Sequence, residues 1–310
     1  MDVLTITDVS PRDGLQSQRT MVATADKLRL IQGLSAAGLM NIEATSFVSP
    51  KSVPQMADAD ALLPQIVRRD RDNISVLVPN LRGLDRAVAA GANSIAVVLS
   101  ASDTMNRKNI GMDLDMATQI CVTTLKRATD LGLATRAYVA VAFECPFEGI
   151  IPPSRVRDLA LRVADAGARE TVIADTIGAA APVQIQDVLQ LLLVHFSPMQ
   201  LGLHLHDTRG MALANAWAAI QLGIRRFDAS VGGLGGCPFA PGAAGNLATE
   251  DLVLMASQCG LHTGIDLVAL MSVVALVQEL VGPPIGGRSA RWLRTVVEQD
   301  SHKEGEKWPS

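Results

Sequence analysis

The chain of 310 residues predicts an α/β fold, a (β/α)8 TIM barrel with a C-terminal helical extension. Three observations carry this expectation. Short β-rich runs alternate eight times with longer stretches of helical apolar spacing. The composition is 48% hydrophobic but only 3% aromatic, so the core must be built from Ala, Val, Ile and Leu, a palette that suits a parallel sheet covered on both faces. The first strand is followed by SPRDGLQSQ, where a doubly wound open sheet would place a glycine-rich phosphate turn.

In chain order the strands read LTITDVS, NIEATSF, ISVLVP, SIAVVLSA, TRAYVAVAF, ETVIADT, QLGLHLHD and RRFDASVGG. Between them lie helical patterns such as TADKLRLIQGLSAAG and MALANAWAAIQLG. Gly38, Gly91, Gly132, Gly167 and Gly223 stand where helix C-termini are expected. Beyond the eighth strand a glycine-rich loop leads into two more helical stretches, Thr249 to Gly260 and Asp266 to Val281. No proline- or serine-rich linker intervenes, so residues 1–297 read as a single catalytic domain and 298–310 as a frayed tail.

The charge balance narrows the partners. A net charge of −4 argues against a nucleic-acid or anionic-membrane surface, which leaves small molecules. No run reaches the roughly 20 apolar residues that span a bilayer, and the N-terminus enters a strand without the pattern of a signal or transit peptide. The four cysteines show no paired short spacing of the structural-zinc kind, which fits a reduced, cytoplasmic setting.

In such a barrel the chemistry sits at the C-terminal ends of the strands. On the seventh, His204 and His206 are two residues apart and share one face, so two imidazoles converge on one point, an arrangement suited to a metal ion. The first strand ends in Arg12 and Asp13, the second carries Glu43 and the sixth Asp175, all directed to the same mouth. Glu43, inside an apolar strand, is either paired with Arg12 or beside the metal. Asp207 points away from the histidines and is expected to cap the helix that begins near Gly210. The loop SVGGLGGCPFAPGAAGN has the glycine content of a lid. Its Cys237 reads as a catalytic or substrate-gating thiol, whereas Cys121 and Cys259 read as packing residues. Asn246 either caps the next helix or supplies an oxygen ligand.

The segments SPRDGLQ, SFVSPKSVPQMAD, ECPFEG, ADTIG, HLHDTRGMALAN and GGLGGCPFAPGAAGNLATEDLV together resemble the hydroxymethylglutaryl-CoA lyases, over Val3 to Val281. The resemblance implies retro-Claisen cleavage of 3-hydroxy-3-methylglutaryl-CoA to acetoacetate and acetyl-CoA by a homodimer, with a divalent cation, Mg²⁺ or Mn²⁺, bound by Asp13, His204, His206 and Asn246. It further implies that Arg12, Gln16 and Asp175 contact the acyl-CoA and that Glu43 supports the site. Asp13 or His204 would take the hydroxyl proton, Arg12 would stabilise the enolate and Cys237 would reprotonate it. The chain departs from the family pattern at Asp8 and Ser10, at Val172 in place of serine, at Arg209 in place of tyrosine and at Pro241 in place of lysine. These departures leave open a lyase for another 3-hydroxy-3-alkylglutaryl-CoA, or a related Claisen-condensing acyltransferase.

Overall fold

A computed structural model describes residues 2–70, 72–236, 245–282 and 285–300. Eight strands, β1 (Thr5–Asp8), β2 (Asn41–Ser46), β3 (Asn73–Leu77), β4 (Ser94–Ser100), β5 (Ala134–Ala140), β6 (Glu170–Asp175), β7 (Leu201–Leu205) and β8 (Arg226–Ala229), pair in parallel in sequence order. Hydrogen bonding of β1 to β8, with Thr5 opposite Arg226 and Asp8 opposite Ala229, closes the barrel. The predicted fold is the observed one.

Side chains alternate across this wall. Residues such as Ile42, Ile95, Val139, Ile173, Leu203 and Phe227 face outward and merge with the helix stripes into one apolar cluster. Full burial of each such side chain stabilises the fold by about 1.5–3 kcal/mol. The intervening positions, including Glu43, Arg136, Tyr138, His204 and Asp228, face the barrel interior and are buried too.

The helices α1 (Thr24–Ala36), α2 (Ala59–Leu62), α3 (Leu81–Ala89), α4 (Asp103–Ile110), α5 (Leu114–Asp130), α6 (Pro153–Asp165), α7 (Pro182–Leu193), α8 (Ala212–Gln221) and α9 (Thr249–Gln258) occupy the connections and the outer layer. Gly38, Gly91, Gly132, Gly167 and Gly223, the five marked as helix stops, all have positive φ, between 76° and 107°. The second connection has no long helix: prolines at positions 54 and 64 divide it into two 3₁₀ turns around the one-turn α2. A small antiparallel hairpin, Glu144–Cys145 with Gly149–Ile150, sits beyond β5.

Among the described residues the C-terminal extension holds three helices, α9, α10 (Leu267–Val281) and α11 (Ala290–Asp300), where two were expected. The last of these, α11, runs to Asp300. Its approach is pinned to α9. Glu250 accepts hydrogen bonds from the amides of Gly232 (3.0 Å) and Gly287 (2.7 Å). Asp251 accepts from those of Arg288 (2.7 Å) and Ser289 (2.9 Å). Gly286 donates to the carbonyl of Gly232 (3.1 Å), and the Arg288 Nε reaches Asp207 at 2.9 Å. Among the described residues no helix is long and apolar enough to cross a membrane.

Candidate active site

Arg12 and Asp13 do not end the first strand as expected. The strand stops at Asp8, and the chain turns through a π-type turn, Ser10–Gly14. The buried Asp8 carboxylate causes the stop. It accepts from the Ser10 amide (2.9 Å) and hydroxyl, the Val231 amide (3.1 Å) and the Thr249 hydroxyl (2.7 Å), tying the turn to the segment just after β8 and to α9. Gly14 lets the turn lie close against its neighbours, since a Cβ there would stand 3.0 Å from Leu234 and from the Ser230 hydroxyl.

This turn delivers both side chains to the barrel mouth. The Arg12 Nε donates to the fully buried Glu43, and its Nη1 donates to Asp13 Oδ1 at 2.5 Å. Of the two alternatives for Glu43, the observed one is the pairing with Arg12. Asp13 Oδ2 accepts from Asn246 Nδ2 at 2.9 Å and lies 4.0 Å from His204 Nε2. His204 and His206 share the inner face, with their Nε2 atoms 3.2 Å apart. Backbone bonds from Leu247 to Leu205 (2.8 Å) and from Asp207 to Gly245 (3.1 Å) hold Asn246 against His206. Asn246 is not the helix cap, because Ala248 occupies that position before α9.

The donor set fits a small divalent cation. Ligand atoms of Asp13, His204 and His206 all lie within 4.8 Å of one another. Two ligands about 2.1 Å from one ion and at right angles would be roughly 3 Å apart, close to the separation of the imidazole nitrogens. Asn246 Oδ1 and His206 Nδ1 are buried without a hydrogen-bond partner among the described residues. An orphaned buried acceptor costs about 1–3 kcal/mol, a cost that a cation at Oδ1 would remove.

The electrostatics agree with this chemistry. Burial alone would raise Asp13, but Arg12 and the two histidines outweigh it and bring the carboxyl down to about 2. Burial and then the neighbouring His204 push His206 down to about 4, so its ring is neutral and keeps a lone pair. Burial lowers His204 as well, yet its bond to Asp228 and the charge of Asp13 leave it raised above the ordinary imidazole value.

Below these residues lies a buried network that the motifs do not announce. Tyr138 donates to Asp228 Oδ2 (2.7 Å) and also lies 3.1 Å from Glu43 Oε2. Arg136 Nη2 bridges Asp228 Oδ1 (2.7 Å) and Glu170 (3.0 Å). Asp228 Oδ2 faces His204 Nδ1 at 3.3 Å. The available signal was Arg136, Tyr138 and Asp228 standing at inward positions of otherwise apolar strands.

The remaining predicted residues fall as follows. Asp175 is buried, and its carboxylate is engaged by the amides of Ala179 (2.9 Å) and Ala180 (3.1 Å). Burial raises it to about 6 in spite of those bonds. Gln16 is exposed, just beyond the π-type turn. Asp207 accepts from the Ala212 amide at 3.0 Å at the start of α8, although the cap position itself is held by Met211, and it also pairs with Arg288. Cys121 is buried, its thiol pushed up to about 12 by desolvation, whereas Cys259 is exposed rather than packed. Among the departures, Val172 packs with Leu77, Ala96 and Tyr138 inside the barrel, and Arg209 bonds to Ala179 and Glu144. Residues 237–244, Cys237 and Pro241 included, lie outside the described residues.

Known proteins place this architecture. The family described as HMGL-like matches residues 3–277. The hydroxymethylglutaryl-CoA lyase of Bacillus subtilis is 44% identical over 292 residues, covering 94% of this chain and 98% of that protein. The mitochondrial hydroxymethylglutaryl-CoA lyase of Bos taurus is 44% identical over 272 residues, 88% of this chain and 84% of that one. A solved HMG-CoA lyase from Acinetobacter baumannii, in complex with coenzyme A and 3-methylmalate, superposes with a TM-score of 0.90 at 40% identity, covering 99% of this chain and 98% of that one. Because the match spans the barrel from its first strand into the C-terminal helices, the chain belongs to the HMGL-like family, with the hydroxymethylglutaryl-CoA lyases as its relatives.

Proposed function

We propose that this protein cleaves 3-hydroxy-3-methylglutaryl-CoA into acetoacetate and acetyl-CoA by a metal-assisted retro-Claisen reaction. The observation that carries the reading is the meeting of Asp13, His204 and His206 at the barrel mouth, with the buried Arg12 beside them. A divalent cation held by Asp13, His204, His206 and Asn246 would supply Lewis-acid polarisation of the tertiary hydroxyl. Carboxylate, amide and imidazole donors suit Mg²⁺ or Mn²⁺.

The protein's own groups do the rest. Asp13, held ionised by Arg12 and the histidines, is the group left to accept the hydroxyl proton; His204, the other candidate, could do so only by giving up the Nε2 lone pair it would offer the cation. As the carbon–carbon bond breaks, negative charge moves to the thioester oxygen. Arg12 meets it with a permanent charge whose orientation Glu43 and Asp13 fix. Cys237 is assigned, on the sequence alone, as the group that returns a proton to the enolate. Gln16 contributes to the rim, and Asp175 acts through the loop it pins. A cytoplasmic setting is consistent with the free Cys121, Cys145 and Cys259.

A second reading, a lyase for a longer 3-alkyl substituent, is favoured by one observation. Leu77, Ala96, Val172 and the partly exposed Val98 make an apolar patch inside the barrel. The deciding experiment assays a panel of 3-hydroxy-3-alkylglutaryl-CoA thioesters for acetyl-CoA release, with and without chelator. Release that depends on added metal and is fastest with the methyl substrate is expected. No release from any thioester would refute the lyase, and chelator-insensitive release would refute the metal.

A further inference from the structure

We propose that Asp228 is a positioning residue for His204: it holds the ring proton on Nδ1 and thereby presents the Nε2 lone pair to the barrel mouth. The inference rests on the reading of His204 as a ligand, but its first test involves no metal.

Asp228 on β8 lies opposite His204 on β7 in the strand register, and its Oδ2 is 3.3 Å from His204 Nδ1. Its side chain is fully buried and cannot turn freely. Arg136 holds Oδ1 at 2.7 Å, Tyr138 donates to Oδ2 at 2.7 Å, and Arg136 is itself anchored by Glu170 at 3.0 Å. Tyr138 also meets the His204 ring edge to face, with centroids 6.0 Å apart and planes at 89°.

An ionised carboxylate only accepts, so the nitrogen facing it must be the donor. A neutral imidazole has one N–H, and with that proton on Nδ1 the lone pair is left on Nε2. That atom faces His206 Nε2 and Asp13. His206 is the internal contrast, because its Nδ1 is buried with no partner among the described residues to fix its tautomer. Support of this kind commonly changes metal affinity by about 10–100-fold when lost.

Asp228→Asn inverts the logic with little change of shape. Arg136 is a donor only and claims the new amide oxygen, so the amide NH₂ turns toward His204 and Nδ1 must accept. The proton then moves to Nε2, and the lone pair that faced the mouth is lost.

The test labels histidine isotopically in the full-length protein and reads ring-nitrogen resonances above the imidazole titration range, with His204→Gln to assign the signal. Mn²⁺ affinity is measured in parallel by electron paramagnetic resonance. Wild type should show the Nδ1–H form of His204. Asp228→Asn should shift that signal toward the Nε2–H form, leave His206 unmoved and bind Mn²⁺ about 10–100-fold more weakly. Tyr138→Phe, which leaves the carboxylate in place, is expected to keep the wild-type tautomer, and it stands as the second variant should Asp228→Asn fail to fold. An unchanged His204 signal in folded Asp228→Asn, or a lost Nδ1–H form in Tyr138→Phe, overturns the proposal. Wild type that shows the Nδ1–H form but binds no Mn²⁺ instead removes the metal reading and leaves the positioning intact.

Discussion

The two faces of the barrel wall are built from the same strands and do opposite things to the same residue. Asp8 looks outward toward α9, and its partners, Ser10, Val231 and Thr249, are all neutral, so burial raises it to about 6. Asp228 looks inward and is equally buried, yet Arg136 and then His204 hold it well below the usual carboxylate range. Burial depth is therefore not what decides the charge state; the presence of a cation among the contacts is. The outer face supplies cohesion through apolar area, and the inner face can then carry groups that no apolar core would accept.

That contrast can be broken or sharpened by substitution. The largest effect is expected inside. His206→Ala should lower kcat on the order of 10³-fold or more, since several kcal/mol of charge stabilisation depend on the donor set, while the protein stays folded by circular dichroism. Next, Arg12→Lys cannot reproduce the paired contacts to Glu43 and Asp13. Steady-state kinetics should show kcat falling by about 10²–10³-fold with little change in KM. A normal kcat would make Arg12 a structural residue.

On the outer face, Asp8 sets a pH-dependent stability. Its folded value of about 6 exceeds the unfolded 3.8, so its stabilising contribution is complete below 3.8 and is lost as the pH rises through about 6. The change is on the order of 3 kcal/mol at 1.36 kcal/mol for each pH unit. Denaturant unfolding of Asp8→Asn across that window should lack this slope, whatever constant offset the substitution adds. The smallest effect belongs to Ile173→Val. It should cost about 0.5–1.5 kcal/mol of stability at every pH and leave kcat unchanged; a clear loss of activity would mean that the two faces are not independent.

The outer face was the more legible one. Its period-two apolar residues and the glycine stops follow from local rules, and they suffice for the barrel. The His204 and His206 pair was legible for the same reason, because spacing alone puts both rings on one face. Arg136, Tyr138, Glu170 and Asp228 were readable only as strand members. Their significance comes from facing one another across a closed barrel, which local spacing does not reveal. The end of β1 was misplaced because its cause, the hydrogen bonding of Asp8 to Val231 and Thr249, reaches more than two hundred residues along the chain. The helical breaks of the second connection were visible in Pro54 and Pro64, but a strict alternation hid them.

The clamp of Glu250 and Asp251 on residues 287 to 289 bears on how the protein is born. A ribosome releases the N-terminal strands first, and domains tend to fold as they emerge. All eight strands can therefore be outside while Asp251 still lacks its amide donors and Asp207 still lacks Arg288. The corner that follows His206 is completed by residues translated well after the eighth strand, so a chain cut short near residue 285 would yield a closed barrel with unsatisfied acids.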